Sequence, residues 1–291
     1  MNPSHSRSWL TLWCRRTHHA AVLPTFIIIG AQKAGTTSLY YYLGRHPRIF
    51  LSDKKELEYF LEERNWGLGP KWYESQFDQA NNALAVGEAS TAYTAHPVYS
   101  GVPERMVALV PDVRLIYLVR DPIERMQSAY AYFVHLRVEG RPIEEALFAD
   151  PRYLAMSNYA WQIARYLEHF PSEHLLVIPS EDLRSRKVET LSRIHTFIGV
   201  PPEVLPSQTA GEYNRASDKK VSGRTAVRLR NLPGYQRIVS VTPKSARLMY
   251  RRLTARKDRI STELSPEVRT KLLERLDHSG SPAFSSIVFR A

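Results

Sequence analysis

The stretch Phe26-Ile-Ile-Ile-Gly-Ala-Gln-Lys-Ala-Gly-Thr-Thr-Ser38 decides the fold. Phe26-Ile-Ile-Ile-Gly30 is a short apolar run closed by glycine, the pattern of a strand buried on both faces of a parallel sheet. Thr37 to Arg45 reads as a helix, with Leu39 and Leu43 four residues apart on one face. His46-Pro47 ends it, because the residue before a proline is driven out of the helical region. Between strand and helix lies a tight loop flanked by Gly30 and Gly35, residues that permit close backbone approach. Such a unit aims backbone N–H groups and the positive end of a helix at one point, which suits a phosphate.

A nucleoside-triphosphate loop of the P-loop type reads G-x-x-x-x-G-K-[ST]. The spacing from Gly30 to Gly35 fits, but Thr36 stands where that lysine belongs. The lysine is inside the loop instead, at Lys33, and the hydroxyls of Thr36, Thr37 and Ser38 follow. This P-loop-like variant suits a 5′-phosphosulfate held without the usual nucleotide-plus-magnesium geometry. A P-loop kinase or NTPase is the rival reading, and it needs a lysine directly after Gly35.

Outward from this unit, Ile49-Phe50-Leu51 reads as a second short strand, and residues 61–86 as irregular and aromatic. Val102 to Leu109 predicts a helix, and Val113-Arg-Leu-Ile-Tyr-Leu-Val119 is the strongest strand signal. Asp121-Pro122 then opens a helix, since Asp caps and Pro suits the first helical position. Asn158 to Phe170 predicts another helix, followed by Pro171 and the strand Leu175-Leu-Val-Ile178. Lys187 to Ile198 is helical up to Gly199, and Ser265 to Leu276 reads as a capped helix. This alternation predicts an α/β fold: one domain over 24–291, a central parallel sheet flanked by helices, after a flexible arm over 1–23.

Arg120-Asp-Pro-Ile-Glu-Arg-Met-Gln-Ser128 follows the strand at 113–119. Arg120 falls in the loop beyond the carboxyl end of a parallel strand, where ligands of open α/β sheets bind. Ser128 comes two turns into the next helix, and arginine offers phosphate a bidentate fork. Arg125 reads as an ordinary helix-surface residue.

With both stretches in view, Gln32-Lys-Ala-Gly-Thr-Thr-Ser-Leu39 resembles the 5′-phosphosulfate loop of sulfotransferases that use 3′-phosphoadenosine 5′-phosphosulfate (PAPS). Heparan-sulfate N- and 3-O-sulfotransferases and bacterial members look nearest. The similarity runs from about Phe26 to Gly199, with a weaker echo to Leu276. The resemblance implies that Lys33, Ala34, Gly35, Thr36, Thr37 and Ser38 hold the 5′ end of PAPS, and that Arg120 and Ser128 hold its 3′-phosphate. Ser222-Gly-Arg224 resembles the basic loop that closes over the 3′-phosphate, with Ser222 replacing the usual lysine, and so Arg224 joins the set.

A sulfuryl acceptor must lose a proton as it attacks, so a carboxylate or histidine is expected within hydrogen-bond reach. In Ser52-Asp-Lys-Lys-Glu-Leu-Glu-Tyr-Phe60 the resemblance assigns Glu56 as that base, preceded by Lys55. Glu58 stands where some members have histidine. Gly87-Glu-Ala-Ser-Thr-Ala-Tyr93 resembles a segment lining the acceptor cleft, with Ala89 where some members carry lysine and Glu88 as a third candidate carboxylate. Trp66, Trp72, Tyr73 and Phe77 line that cleft or belong to the core, and Tyr159 packs against the adenine or within the core. The implied reaction is in-line sulfuryl transfer to a hydroxyl or amine of a glycan, lipid or small molecule, with Lys33 and Glu56 as its catalytic pair.

Composition is compatible. The chain has 291 residues, 43% hydrophobic and 24% charged, ordinary for a globular protein. Its lone cysteine, Cys14, excludes a disulfide framework and a multi-cysteine metal site. The histidines make no metal set, and none is expected. Net charge is +11, and Arg215 to Arg259 alone carries 14 Lys/Arg against Asp218 and Asp258, so the remainder sums to −1. That segment is either solvated helix faces or an attractor of anions. A basic nucleic-acid-binding protein is the second rival, but regular aromatic interleaving and zinc or zipper signatures are missing, so no nucleic-acid partner is predicted. No run approaches 18 apolar residues, and Ser8-Trp-Leu-Thr-Leu-Trp-Cys-Arg-Arg16 is too short and broken for a secretory signal. The expectation is a cytoplasmic enzyme.

Overall fold

The computed structural model describes residues 22–202, 221–222, 255–256 and 260–278. Five of its strands form one parallel sheet: β1 (Phe26–Gly30), β2 (Ile49–Leu51), β3 (Ala85–Ala89), β4 (Arg114–Val119) and β5 (Leu175–Pro179), in the spatial order β2-β3-β1-β4-β5. The sequence therefore predicts the strand–helix alternation correctly. β1 is central because it is apolar throughout: Phe26, Ile27, Ile28 and Ile29 are all fully buried. Each such side chain contributes about 1.5–3 kcal/mol on burial. Phe26 pairs with Gly87 on one side and Arg114 on the other.

Helices cover the sheet: α1 (Thr36–Leu43), α2 (Pro70–Ser75), α3 (Val102–Leu109), α4 (Pro122–Leu136), α5 (Ile143–Ala149), α6 (Pro151–Ala155), α7 (Tyr159–Leu167), α8 (Ser180–Ser185), α9 (Lys187–Ile198) and α10 (Pro266–His278). Local chemistry explains their ends. Asp121 caps α4 by accepting the Glu124 N–H at 2.8 Å, and Pro122 fills its first turn. Gly199 stops α9 in the left-handed region, at φ 81°. Beside the sheet core, Ile123, Met126, Ile143, Leu147, Tyr153 and Leu272 make a second apolar cluster that seats α10 against α4, α5 and α6. Gln127 fastens it by donating to the Thr262 carbonyl at 2.7 Å.

Two expectations need correction. Residues 61–86 are not irregular throughout, since they include α2 and the start of β3. Arg125 is not on a helix surface. It is 1% exposed and donates to Ser157 Oγ at 2.6 Å and to the Tyr153 carbonyl at 2.8 Å. Helix α6 and the turn after it cover that face of α4 and supply acceptors to two of the guanidinium's three nitrogens, while Nη1 is buried without a partner among the described residues.

Candidate active site

Because the strands run parallel, the loops after β2, β3, β1 and β4 leave the sheet at one edge, in that spatial order. The sequence-derived candidates sit on these loops. Glu56 follows β2, Glu88 lies near the end of β3, Lys33 follows β1 and Arg120 follows β4.

The loop after β1 is tied to β4, because the Ala31 N–H donates to the Leu118 carbonyl at 2.7 Å. The turn closes with Ala34 N–H on the Ala31 carbonyl at 3.1 Å. Lys33, within it, takes a left-handed backbone at φ 74°, and Gly35 does so at φ 98°. A lysine in that region is costly and persists only where its surroundings demand it. Helix α1 starts from Gly35 with no side-chain cap and no acidic residue in its first turn. Its N-terminus is thus left to attract an anion. Thr36 is buried, while Thr37 and Ser38 are half-buried on that first turn. The Lys33 ammonium lies 4.6 Å from the ring centroid of Tyr132 on α4, so it leans toward the helix that carries Ser128.

Arg120 is bound to its own helix. Its Nε and Nη2 donate to Glu124 Oε2 at 3.0 and 2.6 Å, and this pairing with hydrogen bonding holds the Glu124 carboxyl below its usual range. Ser128 is half-buried further along α4.

On the other side, Leu57, Tyr59 and Phe60 plunge into the core and leave Glu56 and Glu58 half-buried between them. Both glutamates are left-handed, at φ 62° and 51°. The Glu56 carboxylate accepts the Thr91 N–H at 2.7 Å and the Thr91 hydroxyl at 3.2 Å, and pairs with the Lys55 ammonium. Glu58 pairs with Arg64 at 3.7 Å, and burial raises its pKa. Glu88 is fully buried, at 0% exposure, and burial pushes its carboxyl up to about 7. It touches protein hydroxyls, not a cleft, which removes the acceptor-contact role.

The aromatic alternatives resolve by packing. Tyr73 and Phe77 are core residues, and Tyr73 stacks on Tyr59 with centroids 4.2 Å apart. Trp66 and Trp72 are half-buried against that core. Tyr159 is buried edge-on to Tyr117, 5.8 Å between centroids, which is the core reading. Arg224 lies outside the described residues. Thr91 and Tyr132, which touch the two candidate catalytic residues, were not singled out from the sequence. Thr91 lies within the quoted 87–93 segment, whereas nothing local marks Tyr132. Among the described residues no group of three or more His, Cys, Asp or Glu side chains is placed to hold a metal. None of their helices is long and apolar enough to cross a membrane.

Residues 23–247 match the family described as Sulfotransferase domain. The chain belongs to the sulfotransferase family. That membership favours sulfotransferase chemistry over the kinase and nucleic-acid readings. Among curated relatives, it is 28% identical over 225 residues to the bifunctional heparan sulfate N-deacetylase/N-sulfotransferase 2 of Bos taurus, covering 69% of this chain and 24% of that protein. It is also 28% identical over 198 residues to the human heparan sulfate glucosamine 3-O-sulfotransferase 5, covering 62% of this chain and 55% of that one. The chain spans about a quarter of the length of the bifunctional relatives. Among solved structures, a sulfotransferase from Alicyclobacillus acidocaldarius superposes with a TM-score of 0.58 at 28% identity, covering 78% of this chain and 99% of that one.

Proposed function

We propose that this sulfotransferase takes its sulfuryl group from PAPS and delivers it to a hydroxyl or amine. The observation that carries this reading is the pairing of two anion-seeking features on neighbouring strands. The uncapped α1 N-terminus with Lys33 follows β1, and Arg120 follows β4. Two such features one strand apart suit the two ends of a bisphosphorylated nucleotide.

In this reading the amides of Ala34 to Ser38 and the hydroxyls of Thr36, Thr37 and Ser38 hold the 5′-phosphate. Arg120 and Ser128 fix the 3′-phosphate and with it the donor's register. The acceptor oxygen or nitrogen attacks sulfur from the side opposite the phosphate. The bond from sulfur to the bridging oxygen breaks, and adenosine 3′,5′-bisphosphate leaves. Lys33 neutralises the charge growing on that bridging oxygen, and Glu56 takes the acceptor's proton. Positioning and charge stabilisation then supply most of the rate, as in phosphoryl transfer. The relatives' names mention glucosamine and heparan sulfate, which supports sugars as the first acceptors to try.

The test is label transfer from radiolabelled PAPS to a panel of glycan, lipid and phenolic acceptors, with calorimetry of adenosine 3′,5′-bisphosphate binding. Labelled product and bisphosphate affinity are expected. Absence of bisphosphate affinity overturns the donor assignment.

A further inference from the structure

Glu88 is the carboxylate this mechanism does not use, and its surroundings are unusually ordered. Three hydroxyls donate to it: Tyr73 to Oε1 at 2.7 Å, Tyr93 to Oε1 at 2.9 Å and Ser90 to Oε2 at 2.7 Å. Among the described residues no cation pairs with it. A fully buried carboxylate without a counter-ion is expensive to keep, so a compensating role is expected.

The same hydroxyls hold the loop that carries Glu56. Ser90 Oγ accepts the Glu58 N–H at 3.0 Å, and Tyr93 Oη accepts the Tyr59 N–H at 3.0 Å. The adjoining backbone completes the clamp, with Glu56 N–H donating to the Ala89 carbonyl at 2.8 Å and Thr91 N–H donating to Glu56 Oε2 at 2.7 Å. A hydroxyl has one proton. While Ser90 and Tyr93 spend theirs on Glu88, their lone pairs must face the loop amides. Glu88 thereby dictates which way each hydroxyl points, and the left-handed turns at Glu56 and Glu58 are held from outside.

We propose that ionised Glu88 is a positioning residue for sulfuryl transfer, orienting the Ser90 and Tyr93 hydroxyls that lock the Glu56–Tyr59 loop and so aim the Glu56 carboxylate. The proposal rests on the reading of Glu56 as the base. Protonating Glu88 would demand an acceptor for the new proton among the three hydroxyls that now all donate to it, two of which hold loop amides. The groups facing Glu88 are Tyr73 from α2, Tyr93 from the turn after β3, Ser90 from its own segment, and the Glu56 charge from the loop after β2. Burial raises its proton affinity most, Glu56 adds to that, and the three hydroxyls lower it.

The experiment compares Glu88→Gln, Ser90→Ala and Glu56→Gln with the wild type, reading kcat, donor KM, bisphosphate affinity and the pH profile of kcat. The amide of Glu88→Gln keeps the shape but cannot accept all three protons. Its kcat should fall about 10- to 100-fold, as for a displaced catalytic group. Donor KM and bisphosphate affinity should stay within about twofold, since β1 and β4 are untouched. An acidic limb near neutral pH in the wild type should vanish in Glu88→Gln, an effect a merely structural residue would not produce. Ser90→Ala should lower kcat in the same manner, and adding it to Glu88→Gln should cost little more. Should Glu88→Gln fail to fold, Ser90→Ala carries the same readouts. Unchanged kcat and an unchanged acidic limb in the folded variants overturn the proposal even if Glu56→Gln is inactive. Full turnover in Glu56→Gln overturns the base assignment, and the positioning role falls with it.

Discussion

The guanidinium of Arg120, in the loop after β4, spends two of its donors on one oxygen of Glu124, four residues ahead in the first turn of α4, at 3.0 and 2.6 Å. The pair stands at the spot where a 3′-phosphate is proposed to sit. Half of the Glu124 side chain is open to water, so the pair is worth at most about 1 kcal/mol. A dianionic phosphate with better fork geometry outcompetes it. Glu124→Gln should therefore tighten adenosine 3′,5′-bisphosphate binding about two- to fivefold, and calorimetry at low salt would detect it. Weaker binding would mean that Glu124 helps to hold Arg120 in place.

Lys33 is the other half of the proposed donor site. Lys33→Ala should lower kcat about 100- to 1000-fold, the scale of losing one donor to a developing oxyanion. Single-turnover transfer from PAPS measures it, and wild-type turnover would refute the role. Tyr132→Leu removes the ring beneath the ammonium and should cost less than about fivefold.

His195 on α9 sets an acid limit on stability. It is fully buried against His46, with centroids 4.8 Å apart, and neither of its ring nitrogens finds a hydrogen-bond partner among the described residues. Burial, with His46 adding to it, brings its pKa down to about 4. The unfolded chain binds a proton at this position near pH 6.5 while the native state refuses it. Stability must then fall as pH drops from about 6.5 to about 4, by roughly 3 kcal/mol in total. Denaturant melts at pH 7 and pH 4.5 should show this loss, and His195→Leu should shrink it.

Gly87 occupies a place where only hydrogen fits. A Cβ there would lie 2.3 Å from the Phe26 ring of the neighbouring strand. Gly87→Ala should destabilise the fold by about 1–3 kcal/mol through overpacking, seen as a lowered Tm. Phe26→Leu should restore part of it.

How far these features can be read from the sequence depends on whether local pattern or distant packing makes them. β1 and α9 are self-announcing, one by four consecutive large apolar residues, the other by an apolar face closed at Gly199. The donor loop is equally plain, because its glycines and hydroxyls are contiguous. β3 is not: Ala-Val-Gly-Glu-Ala has one large apolar residue, and its strand character comes from pairing with β1 and β2 on both sides. Arg125 misleads because its acceptors lie 28 and 32 residues further on. Glu88 reads as a candidate cleft carboxylate for the same reason, since the Tyr73 that covers it reaches it from a helix across the core.

The order of strands along the sheet divides labour. In the proposed reading the nucleotide is addressed from β1 and β4, while the proton acceptor and its clamp hang from β2 and β3. New substrates can thus be explored at the half-buried Glu58, Trp66 and Trp72, leaving the core residues between them and the shared currency of the reaction undisturbed. Exchanging those three side chains for a relative's should shift this scaffold's appetite for acceptors toward that relative's.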